Sequence, residues 1–308
     1  MKPPIRRIAL LASAMALTLP LLAGSQSDET SRSWNQPVEP FRIIGNIYYV
    51  GASDVTAFLI TSPKGHVVLD SGFPETVPQI TRNIKKLGFD VDDVQIVVNS
   101  HAHFDHGGGM ALLKKATRAE LYASEEDAAL FARGGKGDYA LGDRMPFTPV
   151  KADRIVHDHT QVAVAGNVML IARLTPGHTK GCTTWTAVAE EGGRKYDVVF
   201  PCSTTVLPDV SLTKNAAYPK IADDFTQSFR ILKSLPCDVF LANHGSFFNL
   251  KEKMARLAKG ERPNPFIDPA GYRAYIERME KAFLERLEKE KAGEKAAPAP
   301  QPGGRSAP

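Results

Sequence analysis

His101-Ala102-His103-Phe104-Asp105-His106, with Gly107, Gly108 and Gly109 behind it, follows directly on the apolar run Val94 to Val98. Four metal-binding side chains in six residues at the end of a strand are rare by chance. Buried imidazoles and carboxylates are costly without partners. An extended loop aims alternate side chains into one cleft. His101 and His103 can then share one metal ion while Asp105 and His106 turn toward a second. The three glycines are expected to let the backbone turn sharply into the next helix.

Two further histidines sit in similar settings. His178, in Thr175-Pro176-Gly177-His178-Thr179, follows the run Val168 to Leu174. His244, in Leu241-Ala242-Asn243-His244-Gly245, follows Val239 to Ala242. Five histidines and one aspartate suffice for two sites of three ligands each. Three protein ligands leave a position open for water, as in catalytic rather than structural sites. Nitrogen and oxygen ligands suit zinc, and also admit iron or manganese. His178 or His244 alone would read as an ordinary core or surface histidine; beside the six-residue cluster they do not. His66, near a turn, and His157 and His159, alternating along an expected edge strand, read as solvated structural residues.

Outward from the cluster, short apolar runs alternate with turn residues from Phe41 onward. Arg42 to Val50 reads as strand, turn, strand. Thr56 to Ile60 and His66 to Leu69 frame the turn Ser62-Pro63-Lys64-Gly65. Pro74 to Leu87 has helical spacing at Val77, Ile80, Ile84 and Leu87. Met110 to Ala116 reads as a helix, Glu120 to Ala123 as a strand, and Ser124 as the N-cap of a helix to Arg133. Residues 134–148 are glycine-rich and read as a long surface loop. Val162 to Leu174 and Thr184 to Phe200 read as β-hairpin material, Asp224 to Leu235 as a helix, Val239 to Ala242 as a last buried strand. Asn264 to Pro269 reads as extended, and Tyr272, Ile276, Met279, Phe283 and Leu287 mark an amphipathic C-terminal helix. The order predicts a layered α/β body with two sheets between helices, a single domain over 41–291. Residues 26–40 read as a loose polar segment, and 292–308 as a disordered Ala/Pro/Gly tail.

The chain has 308 residues, 43% hydrophobic and 23% charged, which excludes collagen, coiled coil and wholesale disorder. Lys2, Arg6 and Arg7, then the apolar run Ile8 to Ala23 and small residues to Ser25, read as a secretory signal over 1–25. The alternative is a membrane anchor, but the run is shorter than the ~20 residues a span needs. Cleavage would leave no anchor and place the protein in the periplasm of a Gram-negative cell. Losing three basic residues takes the formal charge from +4 to +1, too small to argue for nucleic acid. Cys182, Cys202 and Cys237 allow one disulfide and one spare thiol in that compartment. Spacing does not choose the pair.

His101-x-His103-x-Asp105-His106, then His178, then His244, in that order, resembles the metallo-β-lactamase superfamily over roughly residues 41 to 270. The resemblance implies a four-layer αβ/βα sandwich. It implies that His101, His103 and His178 hold one zinc ion and Asp105, His106 and His244 a second. It also implies that Asp70, in Leu69-Asp70-Ser71-Gly72, braces the metal loop from behind. Many hydrolases of this fold carry a metal-bridging aspartate after the strand that here ends at Phe200. This chain has Pro201-Cys202-Ser203-Thr204-Thr205 instead. That difference, the segment Pro176 to Trp185, and Asn264-Pro265-Phe266-Ile267 look like the third subclass of class B β-lactamases. Ser203 then aligns with a serine of that subclass. A one-residue shift would make Cys202 a metal ligand; the favoured alternative is a Cys182–Cys202 disulfide, with Cys237 a buried free thiol.

The expected activity is hydrolysis of a β-lactam amide by water activated between the two zinc ions, giving antibiotic resistance. Asp105 would orient the attacking water. Ser203 and Thr205 are candidates to bind the substrate carboxylate, or else plain strand-end hydroxyls. Tyr139, Leu141 and Phe147 could form one wall of the cleft and residues 206–222 the other. The partner is a small molecule, and the protein is expected to be monomeric. Two alternatives are a same-fold hydrolase of lactones, thioesters or phosphodiesters, and an exported zinc-storage protein.

Overall fold

The computed structural model describes residues 26–293. The expected signal at residues 1–25 and residues 294–308 lie outside the described residues. Among the described residues no helix is long and apolar enough to cross a membrane.

The first sheet has seven strands in spatial order: β1 (Phe41–Ile44), β2 (Ile47–Tyr49), β3 (Phe58–Ser62), β4 (Gly65–Leu69), β5 (Val94–Val98), β6 (Glu120–Ser124) and β7 (Arg154–Val156). β1 to β4 pair antiparallel, with two-residue turns between β1 and β2 and between β3 and β4 and a longer connection, residues 50–57, between β2 and β3. β4 to β7 pair parallel, which needs crossovers. These carry the helices α2 (Val77–Lys86), α3 (Met110–Thr117) and α4 (Glu125–Ala132). The second sheet, in order, is β12 (Val239–Phe240), β11 (Arg194–Phe200), β10 (Thr183–Glu191), β9 (Asn167–Leu174) and β8 (Gln161–Val164). Only β11 and β12 pair parallel within it, and the connection between them carries α5 (Ile221–Ser234).

Strand alternation builds the layers. Phe58, Ile60, Val67, Leu69, Ile96 and Val98 face the second sheet and share a core with Trp185 and Phe200. Their neighbours Leu59, Val68 and Val97 face the other way and pack with Ile80, Leu113 and Phe131 of α2 to α4. A period of two thus gives the first sheet two apolar faces. α5 and the long C-terminal helix α7 (Pro269–Lys291) join the second sheet's core through Phe225, Phe229, Tyr275 and Phe283. The result is the expected αβ/βα sandwich.

Several local expectations are corrected. Residues 26–40 are not loose: they open with α1 (Gln26–Trp34) and are strapped to the body. The Trp34 carbonyl accepts from the amides of Asp54 and Val55, and Lys86 pairs with Glu39 at 2.8 Å. α6 (Leu250–Ala258) is an additional helix. His157 and His159 are exposed but sit in a turn after β7, not along a strand. His66 is buried at 5% exposure, its ring edge-on to Phe89, so it is structural without being solvated. Asn264 to Ile267 is a turn closed by the Asn264 side chain, not an extended run. Ser124 precedes α4, but its hydroxyl donates to the Gly181 carbonyl at 2.6 Å instead of capping the helix. The glycines behind the histidine cluster also act differently than expected, since Gly107, Gly108 and Gly109 do not have positive φ. A Cβ on Gly109 would lie 2.7 Å from the Phe73 carbonyl oxygen and one on Gly107 2.6 Å from the Phe131 ring. Within the turn that leads straight into α3 they permit close packing, without a left-handed backbone.

Candidate metal centre

The strand ends converge. β4 leads to Asp70, β5 to His101, β9 to His178, β11 to Ser203 and β12 to His244. The rings of His101, His103 and His178 pack mutually edge-on, with centroids 4.7 to 4.8 Å apart. His101 also meets His106 at 4.6 Å, and His106 meets His244 at 4.8 Å. All six residues singled out in the sequence therefore line one site.

The donor atoms form two groups. His103 Nδ1 lies 3.1 Å from His178 Nε2, and one nitrogen of His101 joins them within 4.8 Å. In the second group, His106 Nε2 lies 3.2 Å from His244 Nε2 and 3.3 Å from Asp105 Oδ2. His244 Nε2 and Asp105 Oδ2 are 3.5 Å apart. Nitrogen and oxygen ligands at 2.0–2.1 Å around a tetrahedral zinc would sit about 3.3–3.4 Å apart. This triangle has that size.

The outer nitrogens fix which lone pairs face inward. His178 Nδ1 lies 2.8 Å from the Thr205 carbonyl, which can only accept, so Nδ1 carries the proton and Nε2 offers a lone pair. His244 Nδ1 lies 2.9 Å from Asp54 Oδ2, which likewise places a proton on Nδ1 and turns Nε2 inward. His103 Nε2 and His106 Nδ1 are buried without a hydrogen-bond partner. They face Asp138 Oδ2 at 3.7 Å and Asp70 Oδ2 at 3.8 Å, beyond hydrogen-bond reach. Inward-facing imidazole nitrogens and a carboxylate oxygen crowded this closely are what a bound cation would satisfy. The residues present fit metal ions.

Asp70 sits behind the loop as expected. It adopts φ 63°, a left-handed conformation an aspartate tolerates better than most residues. Its carboxylate accepts from the Ser100 amide at 2.6 Å and the Ser100 hydroxyl at 2.8 Å. Ser100 Oγ in turn contacts His101 Nδ1 at 3.1 Å. Burial pushes the Asp70 carboxyl up to about 6, against the pull of His106 and Ser100. Burial and then the neighbouring His103 push His178 down to about 3. His244 goes the other way: burial opposes its charge, but hydrogen bonds to Asp105 and Asp54 outweigh burial and take it to about 9.

Cys182 and Cys202 are joined in a disulfide, their Cα atoms 5.8 Å apart. Their sulfurs approach His101, but neither is a free thiolate, so the reading of Cys202 as a ligand is excluded. Cys237 is a free thiol, half-buried rather than buried, and burial pushes it up to about 12. Ser203 Oγ lies 3.1 Å from Thr205 Oγ1, which lies 3.0 Å from His178 Nδ1. Thr205 therefore touches a ligand-type histidine, and Ser203 stands one hydroxyl away.

Beyond Asp70, and Tyr139 as part of a cleft wall, sequence reasoning does not single out the groups behind the site. Asp54 holds His244. Buried Asp127 accepts from the Ala102 amide at 3.0 Å and the Asn99 side chain at 3.2 Å. Asp138 and Tyr139 come from the 134–148 loop; the Tyr139 hydroxyl donates to the carbonyls of Gly177 and His178 at 2.7 and 3.0 Å. Trp34 packs edge-on to His244, ring centroids 5.1 Å apart. None lies in a motif; only the fold brings them here. Beside the site, Phe73, Phe104, Arg133, Met145 and Phe147 line an open cleft of about 660 Å³.

An αβ/βα sandwich with paired histidine and aspartate clusters at its strand ends defines a class of metal-binding protein. The chain belongs to the metallo-β-lactamase superfamily, whose family model matches residues 50–244. It is 42% identical to the native FEZ-1 metallo-β-lactamase from Legionella gormanii (TM-score 0.82), covering 84% of this chain and 99% of that one. It is 35% identical to BJP-1, a subclass B3 metallo-β-lactamase of Bradyrhizobium japonicum (TM-score 0.76), covering 84% of this chain and 97% of that one. A more partial likeness is to the N-acyl homoserine lactonase AttM of Agrobacterium fabrum, strain C58, at 33% identity over 156 residues. That match spans 41% of this chain and 57% of the lactonase.

Proposed function

We propose that this chain hydrolyses the amide bond of β-lactam rings with two zinc ions bound in the cleft. His101, His103 and His178 would hold one ion, and Asp105, His106 and His244 the other. When bound, zinc supplies a water acidic enough to ionise near neutral pH and a Lewis-acid contact for the ring carbonyl. The chain's own groups do the rest. Asp105 is held ionised: burial opposes the charge, but His106 and the contacts from His106 and His244 take it well below the usual carboxylate range. It can accept a hydrogen bond from the attacking water and orient it. Ser203 would donate to the substrate carboxylate, with Thr205 steadying it and His178 from behind. Asp70 would hold the loop that presents His101.

The observation that carries the reading is the strand end after Phe200. Residues 201–205 contain no carboxylate to bridge two metals, and Cys202 is tied up in a disulfide. The metals then rest on histidines and Asp105 alone. The signal at 1–25 would deliver the chain to the periplasm, where that disulfide can form. Its exposed large apolar residues, Leu112, Ile155, Val188 and Leu284, fall on separate elements, which favours a monomer.

The partial likeness to AttM favours one other reading, lactone hydrolysis at the same centre. The test is turnover by purified residues 26–308, with zinc and with a chelator, on a carbapenem, a chromogenic cephalosporin and an N-acyl homoserine lactone. Chelator-sensitive loss of the β-lactams is expected. Turnover of the lactone alone would replace this reading with the second.

A further inference from the structure

Two charged side chains on the last turns of α7 hold a loop that runs beside the metal centre. The Arg286 guanidinium meets five acceptors. Nε contacts Glu290 Oε1 at 3.2 Å. Nη1 donates to the carbonyls of Leu207 at 2.8 Å and Val206 at 3.4 Å. Nη2 donates to those of Pro208 at 2.8 Å and of Val210. An arginine has five N–H donors in a planar fork, so every one has an acceptor here. Glu290 Oε2 accepts from the Leu212 amide at 2.7 Å, Ser211 Oγ at 2.9 Å, and the Thr213 amide and hydroxyl at 3.2 and 3.3 Å. The two side chains are only 15% and 9% exposed. The held segment begins next to Thr205, whose carbonyl holds His178. It also meets the 134–148 loop, through Arg144 and Asp209 at 3.5 Å.

We infer that Arg286 and Glu290 are positioning residues that shape the substrate cleft by fixing residues 206–213 beside the metal centre. The inference rests on the β-lactam hydrolysis proposed above. Neither side chain touches a ligand-type residue, and the geometry gives them no part in bond breaking. Freeing the loop should weaken binding of ground state and transition state alike. That raises KM and leaves kcat and metal content in place.

The experiment compares the full zinc-loaded protein with Arg286→Ala, Arg286→Lys, Glu290→Gln and, as a control, Ile276→Ala. Ile276 lies on the same helix, about 15 Å along its axis before Arg286, and packs into the core. Steady-state kinetics on a cephalosporin are read beside hydrogen exchange at the amides of Leu212 and Thr213. Arg286→Ala is expected to raise KM about tenfold with kcat within about threefold and zinc unchanged. Exchange at the two amides should quicken about tenfold or more. Lysine, with three donors for the four carbonyls and Glu290, should restore only part of both. Glu290→Gln should mainly expose the two amides. Unchanged exchange in Arg286→Ala, a loosened loop with unchanged KM, or the same KM rise in Ile276→Ala would overturn the inference. A wild-type protein without β-lactam turnover would overturn the proposed reaction instead; the exchange measurement still tests whether the two side chains hold the loop.

Discussion

Asp54 and His244 show how much of the centre depends on single contacts. Asp54 accepts from His244 Nδ1 at 2.9 Å and from the Ser246 amide at 2.7 Å, so it fixes both the ring and its tautomer. Replacing such an orienting partner usually costs 10–100-fold in metal affinity. Asp54→Ala is expected to weaken the second proposed site by about that factor and spare the first. A competitive chelator titration would measure it. The shifts at His244 and His178 also set a pH dependence. His244 is raised from 6.5 to about 9, so below that pH a metal ion must displace its proton. His178, at about 3, is neutral near pH 7 and leaves its Nε2 lone pair free for a metal ion. On acidification from pH 9, the Asp105/His106/His244 group should lose metal before the His101/His103/His178 group. Simultaneous loss, followed by zinc release against pH, would contradict this. Without metal, the His244 shift adds stability that is complete below pH 6.5 and lost as pH rises through about 9. All six donor residues are legible in the sequence, because their types and their places at strand ends are local facts. Asp54, Asp127 and Asp138 are not, because an aspartate's role behind a histidine exists only once distant loops meet.

At the scale of elements, the disulfide staples the turn before β10 to the segment after β11, a sequence separation of 20. Chain-entropy arithmetic for a loop that size gives about 3 kcal/mol. Cys182→Ser with Cys202→Ser should lower unfolding stability by about that amount while both zinc ions stay bound. Loss of one zinc equivalent would show that Cys202 does more than staple. The strands are legible as short apolar runs between turn residues, because a sheet covered on both faces buries every side chain, as in Val67, Val68 and Leu69. α1 was not: in QSDETSRSW only Trp34 is apolar, and its contact is with His244, 210 positions away. α6 buries only Leu250 and Lys253, too little for an apolar stripe to stand out from its charges. Trp34→Ala should therefore act at the site more than on the fold. Its expected signature is a changed KM or a weaker second metal site, with little change in melting temperature.

Across the whole molecule, the centre sits where the ends of both sheets meet, so metal binding should couple to global stability. Zinc that binds the folded but not the unfolded chain stabilises it by about 4 kcal/mol at a thousandfold excess over Kd. Melting temperature should rise on zinc addition and fall back with chelator, and the rise should shrink in His101→Ala. The sandwich itself followed from the order of strands and helices. The whole segments corrected, residues 26–40, 250–258 and 264–267, lie outside the strands, where tertiary contacts override weak local preference. The most direct measurement is cephalosporin hydrolysis by the metal-free protein as zinc is added back in fractions of an equivalent. Activity should climb to a plateau at two zinc ions per chain, vanish with chelator, and be absent in His101→Ala. Two zinc ions bound with no β-lactam turned over would contradict the proposed function.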